Sequence, residues 1–445
     1  MRRLFGFVML AGGAALAACG GGAEGSGSAT RDVQVDYVHD EVASSFIAYF
    51  PREVRVRPGD TVVFRQQWTG EPHSVTMGTM VDDAMNVIAP LMEKYGDSQE
   101  EPPEDALRAY DEAIAPLPEM AQDDEDGFFQ VTQNAGQPCY LETGGPPEDP
   151  DTPCADEDQE QPSFNGRQSY YNSGFIPYEG DQGNQFTVEL ADDIEPGTYN
   201  YYCNLHGPFQ SGTITVAEPG ADIPSAEDVA RQAREEIETM AGPLVAAYEA
   251  APREGKGEVW GTPVEAPLAG WGDPEVHASI NEFIPQTIEA RVGEPVSWTF
   301  VGGHTVSFKV PEYFAQVIVE DDGTVRISDE AVKPFNVPDP PIPPRGGPPE
   351  ESDGATEEGG EPAAEGEGSS QDGAAATEEG EAPEGQGEGP PRELPLWDVG
   401  TWDGEEFISS GVHGEIKYRM TFTKPGTYPY ACLIHPQMVG MVKVA

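Results

Sequence analysis

Two stretches of the chain alternate apolar and polar side chains around a glycine turn. The first reads Phe46-Ile-Ala-Tyr-Phe-Pro51-Arg-Glu-Val-Arg-Val-Arg-Pro-Gly-Asp-Thr-Val-Val-Phe64. The second reads Ile280-Asn-Glu-Phe-Ile-Pro285-Gln-Thr-Ile-Glu-Ala-Arg-Val-Gly-Glu-Pro-Val-Ser-Trp298. A period of two marks half-buried antiparallel strands. Two more strands are predicted near the end, over residues 417–422 and 441–444, with a short loop between them. Elsewhere the period becomes helical: Met85, Ile88, Met92 and Tyr95 within 83–95, then Leu107, Tyr110 and Ile114 within 104–117. Ser225-Ala-Glu-Asp228 reads as a capping box opening a helix to about residue 251, kinked at Gly242-Pro243. Its one apolar stripe is Val229, Ala233, Ile237, Met240, Leu244 and Tyr248, so it packs on a neighbour and acts as a semi-rigid connector.

The chain repeats itself. The first strand pair is followed by Glu71-Pro-His73-Ser-Val, the second by Gly303-His304-Thr-Val. Later, Pro196-Gly-Thr-Tyr-Asn-Tyr-Tyr-Cys203-Asn-Leu-His206 answers Pro425-Gly-Thr-Tyr-Pro-Tyr-Ala-Cys432-Leu-Ile-His435, and Ser173-Gly174 answers Ser410-Gly411. Each half therefore carries an early His and a late Cys/His loop, which a Greek-key sandwich brings side by side.

The last of these loops carries chemistry. A thiol (Cys432), an imidazole (His435) and a thioether (Met438) lie within seven positions. With one more His, here His304, they are what a blue-copper electron-transfer site needs. The set resembles the type 1 copper site of the cupredoxin family (plastocyanin, azurin and amicyanin-like). The Cys-x-x-His-Pro-x-Met spacing is closest to the short amicyanin-type loop, and Pro-Gly-Thr-Tyr-x-Tyr-x-Cys precedes it as in family members. The resemblance implies an all-β chain: two tandem Greek-key cupredoxin β-sandwiches with helical and disordered insertions. It also implies type 1 copper, one per domain. The implied metal ligands are His304, Cys432, His435 and Met438 in the second half, and His73, Cys203 and His206 in the first. In the family the axial residue stands two positions before the Gly that begins the final strand, as Met438 stands before Gly440. The same count back from Gly212 gives Gln210, an amide oxygen. Counting forward from His206 by the C-terminal spacing gives Phe209 instead, which could not ligate.

The segments expected are a lipoprotein signal peptide (1–19), a flexible tether (20–31), domain 1 (32–218), a helical connector (219–256) and domain 2 (257–445). Domain 1 carries a helical and acidic insertion at about 80–165. It is read either as a lid or docking element over the copper or as an elaboration packed on the sandwich. Domain 2 carries an insertion at about 340–393. Within it, 346–391 is rich in Glu, Gly, Ala and Pro and cannot bury enough apolar surface to fold. That run is a solvating spacer or a docking segment for a basic partner.

At 445 residues there is room for two or three domains, and 37% hydrophobic content with 52 Gly and 43 Pro points to much loop. A formal charge of −56 argues against nucleic acid and against an electrostatically bound anionic membrane. Such a surface suits secreted or salt-adapted proteins. Arg2 and Arg3, the short apolar run 4–16 and Leu16-Ala-Ala-Cys19 form a targeting segment. The last tetrapeptide resembles a bacterial lipobox, which implies lipid on Cys19 and an extracytoplasmic, membrane-anchored protein. The other reading is an ordinary signal peptide with a stray Cys. With Cys203 and Cys432 assigned to copper, two of the five cysteines remain, Cys139 and Cys154. Outside the cytoplasm these are expected to pair as a disulfide, and a further metal site there has no nearby His to complete it.

Oxidases and nitrite reductases share this fold, but the seven His include no His-x-His pair, and neither loop has the two Cys of a dinuclear site. His39, His277 and His413 stand among polar neighbours and are expected on the surface or in turns. The expectation is a non-enzymatic electron-transfer protein working with a redox partner protein. The alternative is a copper-delivery protein without a redox partner.

Overall fold

The computed structural model describes residues 28–40, 42–95, 102–118, 121–123, 129–154, 161–176, 184–250, 258–260, 278–300, 303–311, 316–320, 322–341, 394–413 and 416–445. The signal segment, Cys19, His277 and the acidic run 346–391 lie outside them.

The all-β expectation holds, with two β-sandwiches each built from a pair of sheets. In the first half, Thr61–Gln66 lies between Gln185–Glu189 and Thr30–Val35, and Tyr49–Phe50 closes that sheet. The facing sheet runs Glu53–Val56, Gly207–Val216, Gly197–Cys203, Thr76–Met77, Tyr170–Asn172, Cys139–Leu141. The second half repeats this plan. One sheet is ordered Glu258–Trp260, Pro295–Thr299, Lys417–Phe422, Leu396–Trp402. The other is ordered Thr287–Ala290, Val439–Val444, Gly426–Ala431, Ser307–Phe308, Ile408–Ser409. Period-two alternation places Val54, Val56, Val62 and Phe64 in the first core. It places Ile288, Val296, Trp298 and Tyr418 in the second.

The paired Ser-Gly motifs are the same device twice. Ser173 Oγ accepts from Val75 N–H and donates to the Gly174 carbonyl. Ser410 does the same with Val306 and Gly411. Both glycines are left-handed (φ 64° and 68°), and a Cβ on either would strike the main chain of an earlier proline segment, Gln137-Pro138 or Lys333-Pro334.

Helices Thr79–Tyr95 and Glu104–Ile114 pack on the sandwich: Val81, Ala84, Met85 and Ile88 cover Tyr202. Leu107 departs from the expected stripe and is exposed, Ala106 being buried in its place. The connector helix is Ala226–Ala250. Its capping box is reciprocal: Asp228 N–H donates to Ser225 Oγ at 3.2 Å and Ser225 N–H to Asp228 Oδ2 at 3.3 Å. The predicted stripe joins both halves: Ile237 and Leu244 bury against Phe46, Phe50, Ala278 and Ile280, while Val229 enters the first core.

The halves also pair directly. Ser44–Phe46 and Ala278–Ile280 form an antiparallel ladder with Ser45 opposite Ser279. Aligning Pro51 with Pro285 carries one of these strands onto the other, so the ladder is centred on a pseudo-two-fold axis. Farther along, the Gln133 amide accepts from Val325 N–H at 2.9 Å and donates to its carbonyl at 2.8 Å. Val131, Phe175, Val325, Ile327 and Leu433 bury around this pairing, so apolar surface from both halves is shared. Among the described residues no helix is long and apolar enough to cross a membrane.

Candidate metal centres

In each half the early His is carried in just before a short central strand, and the late Cys ends or follows the neighbouring one. The structure brings His73, Cys203 and His206 together, and likewise His304, Cys432 and His435, with the ligand-type atoms of each set within 4.8 Å of one another. In the first set His73 Nδ1 and His206 Nδ1 are 3.2 Å apart, and Cys203 Sγ is 3.5 Å from His206 Nδ1. In the second set the Nδ1 atoms of His304 and His435 are 3.1 Å apart, with Cys432 Sγ 3.6 Å from His435 Nδ1.

The two residues weighed for the fourth position in the first half separate cleanly. Gln210 is fully buried, with Oε1 2.9 Å from His73 Nδ1 and 2.8 Å from His206 Nδ1, whereas Phe209 is 43% exposed. In the second half Met438 is fully buried in the core that also holds Cys432. The loop is closed by Met438 N–H donating to the His435 carbonyl and Cys432 N–H to the Met438 carbonyl.

Outer partners fix which imidazole nitrogens carry protons. An ionised carboxylate only accepts, so a nitrogen hydrogen-bonded to one must bear hydrogen. Asp36 is fully buried and receives four donors: Tyr37 N–H and Phe46 N–H on Oδ1, Thr69 Oγ and His73 Nε2 (2.8 Å) on Oδ2. His206 Nε2 and His435 Nε2 each lie 3.0 Å from a different oxygen of Glu71. With Nε2 protonated, neutral rings turn bare Nδ1 lone pairs inward. In the first set these face each other, a sulfur and an amide oxygen, so a positive charge must sit among them, either protons or a metal ion. A soft cation favoured by sulfur and imidazole fits that donor set.

The electrostatics agree. Burial pushes the Cys203 thiol up, but the His206 charge and its hydrogen bond, with His73, pull it well below the ordinary thiol range. Burial likewise opposes ionisation of Cys432, and hydrogen bonds to His304 and His435 reverse it, so both centres favour the thiolate. Burial lowers His73, yet Asp36 and Cys203 raise it to about 9. Burial also lowers His435, and Cys432 with Glu71 raise it to about 10. His304 is lowered by its burial, and its Nε2 has no partner among the described residues. Cys432 Sγ faces three backbone N–H groups, of Thr305, Ile434 and His435, at 3.4–3.5 Å. Cys203 Sγ faces that of Ser74 at 3.4 Å and the Ser74 hydroxyl at 3.9 Å.

His413 is not a surface residue. It is 1% exposed, bridges His304 main chain to main chain, and its ring packs 5.0 Å from Trp397. The aligned residue of the first half is Ile176, so the polar neighbours in sequence disguised a core position. Burial lowers its pKa to about 4. His39 is half-buried in the turn before Ser44. Cys139 and Cys154 form a disulfide with Cα atoms 5.8 Å apart.

Sequence reasoning missed Asp36 and Glu71. Asp36 follows a strand as many aspartates do, and no spacing ties it to His73. Glu71 had a signal: the two His motifs differ there, Glu71-Pro-His73 against Gly302-Gly-His304.

No protein-family model and no curated protein matches the chain. Among solved structures, auracyanin from the photosynthetic bacterium Roseiflexus castenholzii is 17% identical, covering 43% of this chain and 100% of its own, with a TM-score of 0.19. Auracyanin A, a "blue" copper protein from Chloroflexus aurantiacus, is 14% identical over 43% of this chain and 100% of its own, with a TM-score of 0.17. A purple cupredoxin from Nitrosopumilus maritimus is 14% identical over 42% of this chain and 99% of its own, with a TM-score of 0.15. At overall scores this low, the sandwich assignment rests on the chain's own sheet order.

Proposed function

We propose that the chain is an extracytoplasmic electron-transfer protein that holds one type 1 copper in each half and turns over no substrate. His73, Cys203, His206 and Gln210 would hold the first ion, and His304, Cys432, His435 and Met438 the second. Bound copper would supply a one-electron couple. The protein's part is to present a thiolate and two inward Nδ1 lone pairs in a dry, rigid frame, so that little reorganises when the charge changes. The observation that carries this reading is the first set: two Nδ1 atoms, a thiolate sulfur and an amide oxygen converge with the outer imidazole nitrogens already committed to carboxylates. Burial favours this reading over delivery. His73, Cys203, His304, Cys432 and His435 are each at most 3% exposed, which suits retention rather than exchange.

The proposed setting is the outer face of a membrane, reached through lipid on Cys19, with a redox protein as partner and no role for nucleic acid. The test is copper titration of the full chain. Two equivalents should produce intense thiolate-to-Cu(II) visible absorption that bleaches on reduction. Cys203→Ser and Cys432→Ser should each remove about half of it. A copper-loaded but colourless chain would overturn electron transfer in favour of delivery.

A further inference from the structure

Among the described residues, Glu71 is the one side chain hydrogen-bonded to histidines of both centres. Oε2 accepts from His206 Nε2 and Oε1 from His435 Nε2, each at 3.0 Å, and the carboxylate is 21% exposed. The contact is built rather than incidental. Gly70, buried at φ +111°, lies so close to the main chain of Ile434 and His435 that no Cβ fits between them. Asp36 holds His73 and Thr69 from the other side, fixing the segment that delivers Glu71. Leu205, Leu433 and Ile434 join the apolar cluster shared by the halves.

We propose that Glu71 is an internal bridge that makes the two centres a relay, with electrons passing between the halves along His206–Glu71–His435. This rests on the copper reading above. The two hydrogen bonds give an electron a continuous, short through-atom route between the imidazoles, where a solvent gap would not. The bridge occupies the outer nitrogen of both imidazoles. The step is a single electron. One centre is oxidised as the other is reduced, no bond forms or breaks, no proton moves, and no further reactant is needed. Glu71 is thus a positioning residue, placed to hold two rings in register across the axis.

The test uses the full chain loaded at both centres, with Glu71→Ala and Glu71→Gln. After photochemical injection of one electron, re-equilibration between the centres is followed by their visible bands, the Cys→Ser variants supplying each reference spectrum. We expect both bands to persist and the inter-centre rate to fall by about tenfold or more in Glu71→Ala. The fall in Glu71→Gln is smaller, since one amide oxygen can accept from only one ring. In the diamagnetic Cu(I) protein, nitrogen-15 spectra of histidine should give slowly exchanging Nε2–H signals for His206 and His435 that are both lost in Glu71→Ala, while the signal of His73, held by Asp36, persists. An inter-centre rate unchanged in both variants, or absence of those two signals from the unsubstituted protein, overturns the bridge. Failure of the copper reading looks different: the unsubstituted chain lacks a thiolate band at one centre, and the relay falls with it.

Discussion

Replacing Gly70 by Ala tests whether the halves meet where the structure puts them, and it needs no metal. An Ala Cβ would stand 2.8 Å from the Ile434 carbonyl carbon and 2.9 Å from His435 Cα, and nearer still to the Ile434 oxygen. Carbon contacts ordinarily begin near 3.4 Å, so the two main chains must part by roughly 1 Å. That lengthens the 3.0 Å contact between His435 and Glu71 beyond hydrogen-bond range. A charge-assisted hydrogen bond lost this way costs about 1.5–3 kcal/mol. The positive φ adds about 1–3 kcal/mol for any residue with a Cβ. Gly144 separates the two terms, because it has φ +84° and, among the described residues, nothing within 4 Å of a Cβ. Gly144→Ala should carry only the backbone cost, about 1–3 kcal/mol. Gly70→Ala should carry both, and in a unit of this size each kcal/mol lowers the melting temperature by about 2–4 °C. The assay is calorimetry of the metal-free full chain beside both variants. Equal shifts for Gly70→Ala and Gly144→Ala would refute a close inter-half contact at Ile434.

Three other outcomes follow from the site. With each centre isolated by Cys203→Ser or Cys432→Ser, the N-terminal centre should have the lower reduction potential, because an amide oxygen favours Cu(II) more than a thioether does; a higher value sinks the Gln210 assignment. Asp36→Asn should weaken copper binding at the N-terminal centre by about 10–100-fold while leaving the other untouched, read by competition with a chelator; equal weakening of both would mean a folding defect. Cys19→Ser should release the protein from membranes, since stable anchoring needs lipid; retention through a high-salt wash would place the anchor elsewhere.

Much of this was legible in the sequence because it is local. Cys432-x-x-His435-x-x-Met438 is a single loop, and its side chains need only a tight turn to converge. The Ser225 capping box is likewise a contact over three residues, and period-two alternation reports directly which strand face is buried. What stayed hidden is contact between distant segments. Ser44–Phe46 reads as a short apolar strand, but nothing in it says that its partner is its own repeat at Ala278–Ile280. His413 looked polar by its neighbours, yet Trp397, brought in by a strand beyond the long insertion, covers it. Asp36 meets His73 only once Thr30–Val35 has paired with Thr61–Gln66.

The repeat explains why two centres exist, and the departures from it explain why they would differ. Under the copper reading, three contrasts point the same way. The first centre has an amide oxygen where the second has Met438, and its His73 leans on a buried carboxylate where His304 Nε2 has no partner among the described residues. Its sulfur faces one backbone N–H where Cys432 faces three. Oxygen donation and a nearby negative charge favour the more charged Cu(II), while N–H groups drawing charge from sulfur favour Cu(I). The downhill direction is therefore from the N-terminal centre to the C-terminal one. A bridge between them should belong to one half alone. Two facing carboxylates would repel on the axis, and the position aligned with Glu71 is Gly302, which brings no second charge.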